Sequence, residues 1–237
     1  MSIADLLTNP LAQDPAYHLF VDGRMFLGIP NFWNVASNLP FAIVGMWGFA
    51  FVRRHVNDPL RIAWHVFFVG IFLTAFGSGY YHLHPDNDSL AWDRLTMTIG
   101  FMSFVAIVVG EYLSVDWSKR LLLPLLAVGA ASVFYWLHTE HLGAGDLRPY
   151  ALVQFMPMIL VPAIILFSSN RSDLGPYIGW MIAFYAAAKV LEYFDAGVFS
   201  IGGLMSGHAL KHVFAALGPA TLLFGLMQRT RVAETPE

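Results

Sequence analysis

The chain has 237 residues, 57% of them hydrophobic and only 12% charged, with a formal net charge of −3 and no cysteine. Soluble domains carry about 25% charged residues, so a mean hydropathy of +0.58 belongs to a chain that cannot cover itself with polar surface in water. Missing cysteine excludes disulfides, Fe–S clusters, thiolate zinc sites and c-type haem attachment, and the lack of any basic run argues against nucleic acid as a partner.

Residues 1–30 combine no basic n-region with a continuous apolar h-region, so they read as a polar or interfacial lead-in and not as a cleavable signal peptide. Crossing the hydrocarbon takes about 20 mostly apolar residues. On that measure the sequence predicts helices over about 31–53, 60–83, 90–112, 120–139, 149–169, 174–195 and 204–227, followed by a polar tail at 229–237. The sixth carries Lys189 and Glu192, and the seventh carries His208, Lys211 and His212. The fold class expected is all-α, a seven-transmembrane helix bundle forming a single membrane domain over 1–237.

Lys and Arg in the connections set the orientation. Arg24, Arg94 and Arg148 fall on one side, whereas Arg53, Arg54, Arg61, Lys119, Arg120, Arg171, Arg229 and Arg231 fall on the other. Eight against three puts the N-terminus outside and the C-terminus in the cytoplasm, as an odd number of spans requires.

With that orientation, polar residues far apart in sequence reach one depth near the outer leaflet. Ser78 and His82 in "GSGYYHLHP" close the second span, and Asp93 lies about one turn into the third. His208 and His212 in "GHALKH" open the seventh, and Asn34 and Asn38 occupy the outer half of the first. Residues four apart on a helix share a face, so His208 and His212 can ligate one metal ion, with His82 as a third nitrogen. Three protein ligands with one open position is the arrangement of catalytic zinc; imidazole also suits Fe, Cu or Ni. Ala209 stands where the zincin motif has its Glu, which leaves Asp93 as the available carboxylate base. A buried ionisable residue costs roughly 2.5–3.5 kcal/mol on insertion scales, so several in one layer need a compensating partner. For any one of these histidines the competing explanation is an interhelical hydrogen bond. Lys189, Glu192, Asp195 and Lys211 are expected to pair between the sixth and seventh spans, with contact to a substrate as the alternative role. His18, His55, His65, His84, His138 and His141 fall in loops or near helix ends, where solvation or interface anchoring is the default.

Four segments in order, "NFWNVASN" (Asn31 to Asn38), "GSGYYH", "WDRLTM" and "GHALKH", make the chain resemble the alkaline ceramidases. These belong to the superfamily of seven-helix intramembrane metal hydrolases that also holds the adiponectin-receptor-like proteins. The resemblance implies one zinc ion held by His82, His208 and His212, with Ser78 and Asp93 beside it as catalytic residues. In the scheme that follows, zinc lowers the pKa of its water to about 7, and Asp93 accepts the proton. The water attacks a lipid amide whose developing oxyanion is stabilised by zinc and Ser78. The products are a fatty acid and a sphingoid base or similar amine. Two departures are visible. "FVDGRMFLGIPN" offers only Asp22, Arg24 and Asn31 where eukaryotic relatives carry an acidic calcium-binding cluster, so no calcium site is expected. Arg94 and Thr96 replace an acidic residue and a proline. Both point to a divergent branch in the bacterial inner membrane, its site facing the extracytoplasmic side, acting on ceramide or another N-acyl lipid. Two other functions remain open: hydrolysis of a phospholipid or other lipid ester on the same scaffold, and a seven-helix receptor or transporter with a structural metal. A transporter would continue its polar residues toward the cytoplasmic half, where this chain has "VFFVGIFLTAF".

Overall fold

The structure, a computed structural model, describes residues 9–234. It is 78% helix and contains no strand among those residues. After a 3-10 turn at Pro15–His18, the helices are α1 (Phe32–Ala36), α2 (Leu39–His55), α3 (Arg61–Leu83), α4 (Asn87–Tyr112), α5 (Val115–His141), α6 (Arg148–Phe167), α7 (Gly175–Tyr193), α8 (Asp195–Gly202) and α9 (Gly207–Glu234). With α1 and α2 counted as one segment, six are long and apolar enough to cross a membrane: Phe32–His55, α3, α4, α5, α6 and Gly207–Val232. Side chains such as Ile43, Ile62, Met46, Leu123 and Ile159 face outward and are at least half exposed. That surface is costly in water and natural in lipid, as befits a multi-pass integral membrane protein. The 19-residue α7 is less apolar because Lys189 and Glu192 lie in its last turns.

Several boundaries differ from the sequence expectation, each for a local reason. The first span is broken at Ser37–Asn38, because Pro40 has no N–H to donate to the carbonyl of Ala36 four residues back. α4 starts before residue 90 because Asp86 caps it: its carboxylate accepts from the Ser89 N–H at 2.7 Å, and Ser89 Oγ accepts from the Asp86 N–H at 3.1 Å. α5 starts at Val115 behind its Ser114 N-cap, five residues ahead of the apolar stretch. The sixth predicted span ends at Tyr193, and the short α8 follows it. α9 runs on through most of the expected tail, where Arg229 pairs with Glu111 at 2.8 Å and also with Asp173. The parts of the lead-in and tail at 1–8 and 235–237 lie outside the described residues.

α3 and α4 form the centre: α2 packs on α3, α5 and α6 pack on α4, and α9 joins α2 to α7. Gly45 and Gly48 let α2 approach α3 closely, since a Cβ on Gly45 would sit 2.4 Å from the Phe72 nitrogen and one on Gly48 would sit 2.1 Å from the Phe68 ring. Such small-residue contacts take the place of hydrophobic drive between helices in lipid. Apolar and polar interiors are segregated along the bundle. Trp64, Phe67, Phe68, Phe104, Leu174 and Leu222 belong to one apolar cluster, built from the start of α3, the middle of α4, the start of α7 and the later half of α9. The opposite end, formed by the end of α3, the starts of α4 and α9 and the end of α7, holds the polar residues.

Candidate metal centre

His82 lies in the last turn of α3, and His208 and His212 lie in the first turns of α9. All three are buried, with ring centroids 5.0, 4.9 and 5.1 Å apart for the 82–208, 82–212 and 208–212 pairs. One ligand atom from each lies within 4.8 Å of the others. The Nε2 atoms of His82 and His212 are 3.3 Å apart. Two nitrogens bound to one tetrahedral ion at ~2.0–2.1 Å stand about 3.3 Å apart, so this pair already has ligand spacing. The orphaned atom of His208 agrees with it. His208 Nε2 is buried without a hydrogen-bond partner among the described residues, and such an atom costs ~1–3 kcal/mol. The three histidines therefore form a group that can hold a metal ion.

Neighbouring backbone and side chains fix the rings. The His208 N–H donates to Asp195 Oδ1 at 2.8 Å, which anchors the start of α9, so Asp195 caps a helix and does not join the expected ion pairs. Asn31 Nδ2 donates to the His82 carbonyl at 2.8 Å. Ser37 Oγ lies 2.8 Å from His212 Nδ1 and 3.2 Å from the Asn34 carbonyl. That carbonyl can only accept, so the hydroxyl proton goes to it, and Ser37 Oγ accepts from His212 Nδ1–H. His212 Nε2 is then the unprotonated atom turned toward His82. A hydrogen bond on the far nitrogen sets the tautomer of a ligating histidine in the same way. Asn34 and Asn38, marked by the sequence, act on backbone: Asn34 Nδ2 donates to the Asp22 carbonyl at 3.2 Å and Asn38 Nδ2 to the Asn34 carbonyl at 2.8 Å.

Ser78 and Asp93 face a cavity of about 290 Å³, and His212 is part of its wall. The Ser78 hydroxyl lies beside the Asp93 carboxylate. The sequence-predicted residues thus separate into three imidazoles in mutual contact and a serine–aspartate pair that shares a cavity with one of them. Glu192 lies between Lys189 and Lys211 at 2.6 and 2.7 Å, as the spacing of those charges predicts.

The lead-in contributes more than the sequence suggests. The Phe20 ring covers His82 and His208 with centroids 4.7 and 5.3 Å away. Behind it Arg24 binds the buried Asp22 at 2.8 Å and reaches the carbonyls of Gly203 and Leu204 at 3.0 and 2.7 Å. The guanidinium hydrogen bonds hold the Asp22 carboxyl below the usual carboxylate range. His18, expected to be solvated, bridges Tyr81 Oη and Asn87 Oδ1 at 3.1 and 3.0 Å. Sequence reasoning missed Ser37, Phe20 and this brace. Ser37 had a readable signal, since Asn34, Ser37 and Asn38 make an i, i+3, i+4 polar stripe on an otherwise apolar span. Phe20 had none, being one aromatic residue in an irregular segment.

Comparison of the chain with protein-family models finds no match, and no curated protein matches it.

Proposed function

We propose that the protein is a zinc-dependent lipid amide hydrolase of the alkaline ceramidase type. In this reading it crosses the membrane seven times, α7 being the additional span, in the bacterial inner membrane, with its N-terminus and histidine end extracytoplasmic. The observation that carries the reading is the convergence of three buried imidazoles beside a cavity that Ser78, Asp93 and His212 line together. Three nitrogens and an open side are the ligand set of catalytic zinc, and the absence of cysteine leaves imidazole as the strongest donor for that ion. A zinc ion held by His82, His208 and His212 would supply a Lewis acid for a carbonyl oxygen and bring the pKa of a coordinated water to ~7.

The chain's own residues supply the rest. A lipid amide lies in the cavity with its carbonyl carbon toward His212. Asp93 accepts the proton of the attacking water, whose oxygen bonds to that carbon. The Ser78 hydroxyl turns from Asp93 to donate to the developing oxyanion, a contact made only in the transition state. As the C–N bond breaks, Asp93 returns its proton to the leaving nitrogen, so water and amide become a carboxylic acid and an amine. Burial of the three rings and the Phe20 cover keep bulk water from the site.

The test is metal analysis joined to lipid turnover. Purified wild-type protein is expected to carry one zinc per chain and to release fatty acid from an N-acyl lipid. His212→Ala is expected to lose both. Wild-type protein that binds no divalent metal, or a metal-free His212→Ala preparation with full activity, would overturn the reading. Phospholipids in the same assay separate ester from amide cleavage.

A further inference from the structure

The cavity beside the histidines has two unlike halves. Phe41, Phe67, Ile71, Met97 and Met181 give one half an apolar lining that suits a hydrocarbon chain, while Asp93, Arg94, Lys189, Glu192 and Lys211 line the other. Three cationic side chains therefore meet two carboxylates in a partly enclosed space. Counted one charge each, the two carboxylates leave one positive charge in excess. Glu192 is shared by Lys189 and Lys211 at 2.6 and 2.7 Å, and Asp93 carries the second negative charge, beside Lys211 and Arg94.

Arg94 is the most enclosed of the three cations. It is 7% exposed, and its guanidinium carbon lies 4.0 Å from the Trp136 ring centroid and 4.7 Å from that of Tyr150. Those contacts favour a cation without neutralising it. Its Nη2 donates to Gln13 Oε1 at 2.6 Å, whereas its Nη1 is buried with no hydrogen-bond partner among the described residues. Each lysine ammonium has three donors and meets a single carboxylate oxygen. Buried charge requires counter-charge and acceptors, and here one positive charge and the Arg94 Nη1 donor are left unanswered among the described residues. A neutral hydroxyl or amide head would accept hydrogen bonds but leave the charge excess standing. A carboxylate or phosphate answers both needs through charge-assisted bonds.

We propose that the cavity takes a lipid whose head carries an anionic oxygen group, a carboxylate or a phosphate, held by Arg94, Lys189 and Lys211, with its hydrocarbon chain along the apolar half. This deepens the hydrolase reading and rests on it only for the bond that is cut. An N-acyl amino acid supplies the carboxylate and the amide together; a lysophosphatidate supplies the phosphate with an ester.

Binding separates the two claims. Chelator-treated, metal-free protein in a neutral detergent is titrated with N-oleoylglycine and with its methyl ester, and in parallel with oleoyl lysophosphatidate and with 1-oleoylglycerol, following tryptophan fluorescence. The anionic member of at least one pair is expected to bind about tenfold tighter, ~1.4 kcal/mol, and the pair that shows it identifies the carboxylate or the phosphate. Arg94→Gln is expected to bring that preference close to one. Because Arg94 also bonds Gln13, Lys189→Gln serves as the second variant: it leaves Glu192 paired with Lys211, and it should lower the preference several-fold in protein that melts like wild type. Equal binding within both pairs, or an undiminished preference in folded protein of both variants, would overturn the proposal. Zinc-loaded protein is then offered N-oleoylglycine and ceramide. Selective anion binding with no cleavage of any lipid would defeat the hydrolase reading alone, whereas cleavage of ceramide without charge preference in binding would defeat this proposal alone.

Discussion

Replacing Ser37 by alanine tests the metal centre without touching a proposed ligand. Ser37 Oγ meets His212 Nδ1 at 2.8 Å, and both side chains are buried, so no bulk water can take over the bond. The Asn34 carbonyl keeps its hydrogen bond from Asn38 Nδ2 at 2.8 Å, and the loss therefore falls on His212. Two costs follow: a buried Nδ1–H without an acceptor, ~1–3 kcal/mol, and a ring no longer held in the tautomer that turns Nε2 toward His82. Loss of such an outer-sphere partner lowers metal affinity ~10–100-fold, equivalent to ~1.4–2.7 kcal/mol. The measurement is zinc titration of purified protein against a chromophoric chelator, with a thermal melt of the metal-free chain to show that the bundle stands. Ser37→Ala protein that folds and binds zinc within twofold of wild type would refute the assignment of Nδ1 as donor and Nε2 as ligand.

Asp93→Asn and Ser78→Ala are expected to keep their zinc while turnover falls, by ~10²–10⁴ for the proton carrier and ~10²–10³ for the oxyanion donor; loss of metal in either variant would place these residues among the ligands instead. Gly45→Ala puts a methyl group against the Phe72 backbone and should cost ~1–3 kcal/mol by overpacking. A Cβ on Gly79 meets nothing within 4 Å, so Gly79→Ala should melt at or slightly above the wild-type temperature, and equal melting of the two variants would disprove the close approach of α2 and α3. Because the folded Asp22 carboxyl is held below its usual range by Arg24, its stabilisation of the lead-in is complete above the unfolded value near about 4 and is lost as pH falls through the lower folded value. Hydrogen exchange at residues 20–24 should thus be slower in wild type than in Asp22→Asn at neutral pH and should converge in acid. A gap that persisted under acid would contradict the pairing.

Hydropathy located the six segments that are long and apolar enough to cross, because a bilayer imposes one length and one composition on them. It did not locate their ends, which depend on single hydrogen bonds: Asp86 with Ser89 starts α4, and Pro40 breaks the first span. Only the apolar part of a helix is visible to hydropathy, so the charged turns at Asp116–Arg120 and Arg229–Arg231 read as connections although they are helical. The histidines were legible for another reason. An i, i+4 pair shares a face whatever the surroundings, and ionisable residues inside an apolar segment stand out at once. Ser37 and Phe20 were not legible to the same degree. Their roles exist only once α1 lies against α9 and the lead-in folds over α3, contacts that no short-range pattern encodes.

The lead-in also determines from which side the centre is approached. Phe20 covers two of the three imidazoles, and Gln13 and Tyr17 form part of the cavity wall, so the segment lies over the histidine end of the bundle. Arg24 ties that segment to the carbonyls of Gly203 and Leu204, ahead of the helix that carries His208 and His212. Of the three rings, only His212 lies on the cavity wall. An occupant therefore meets the centre on the His212 side, with the Ser78–Asp93 pair next to it and the cations of α4, α7 and α9 around its head. In the proposed reading the apolar part of the lining, with Phe41, Phe67, Ile71 and Met181, takes the hydrocarbon chain of the lipid. The residues that shield the metal centre and those that would sort its substrates are thus different sets, carried by the lead-in and by the helices respectively, and they can be mutated separately.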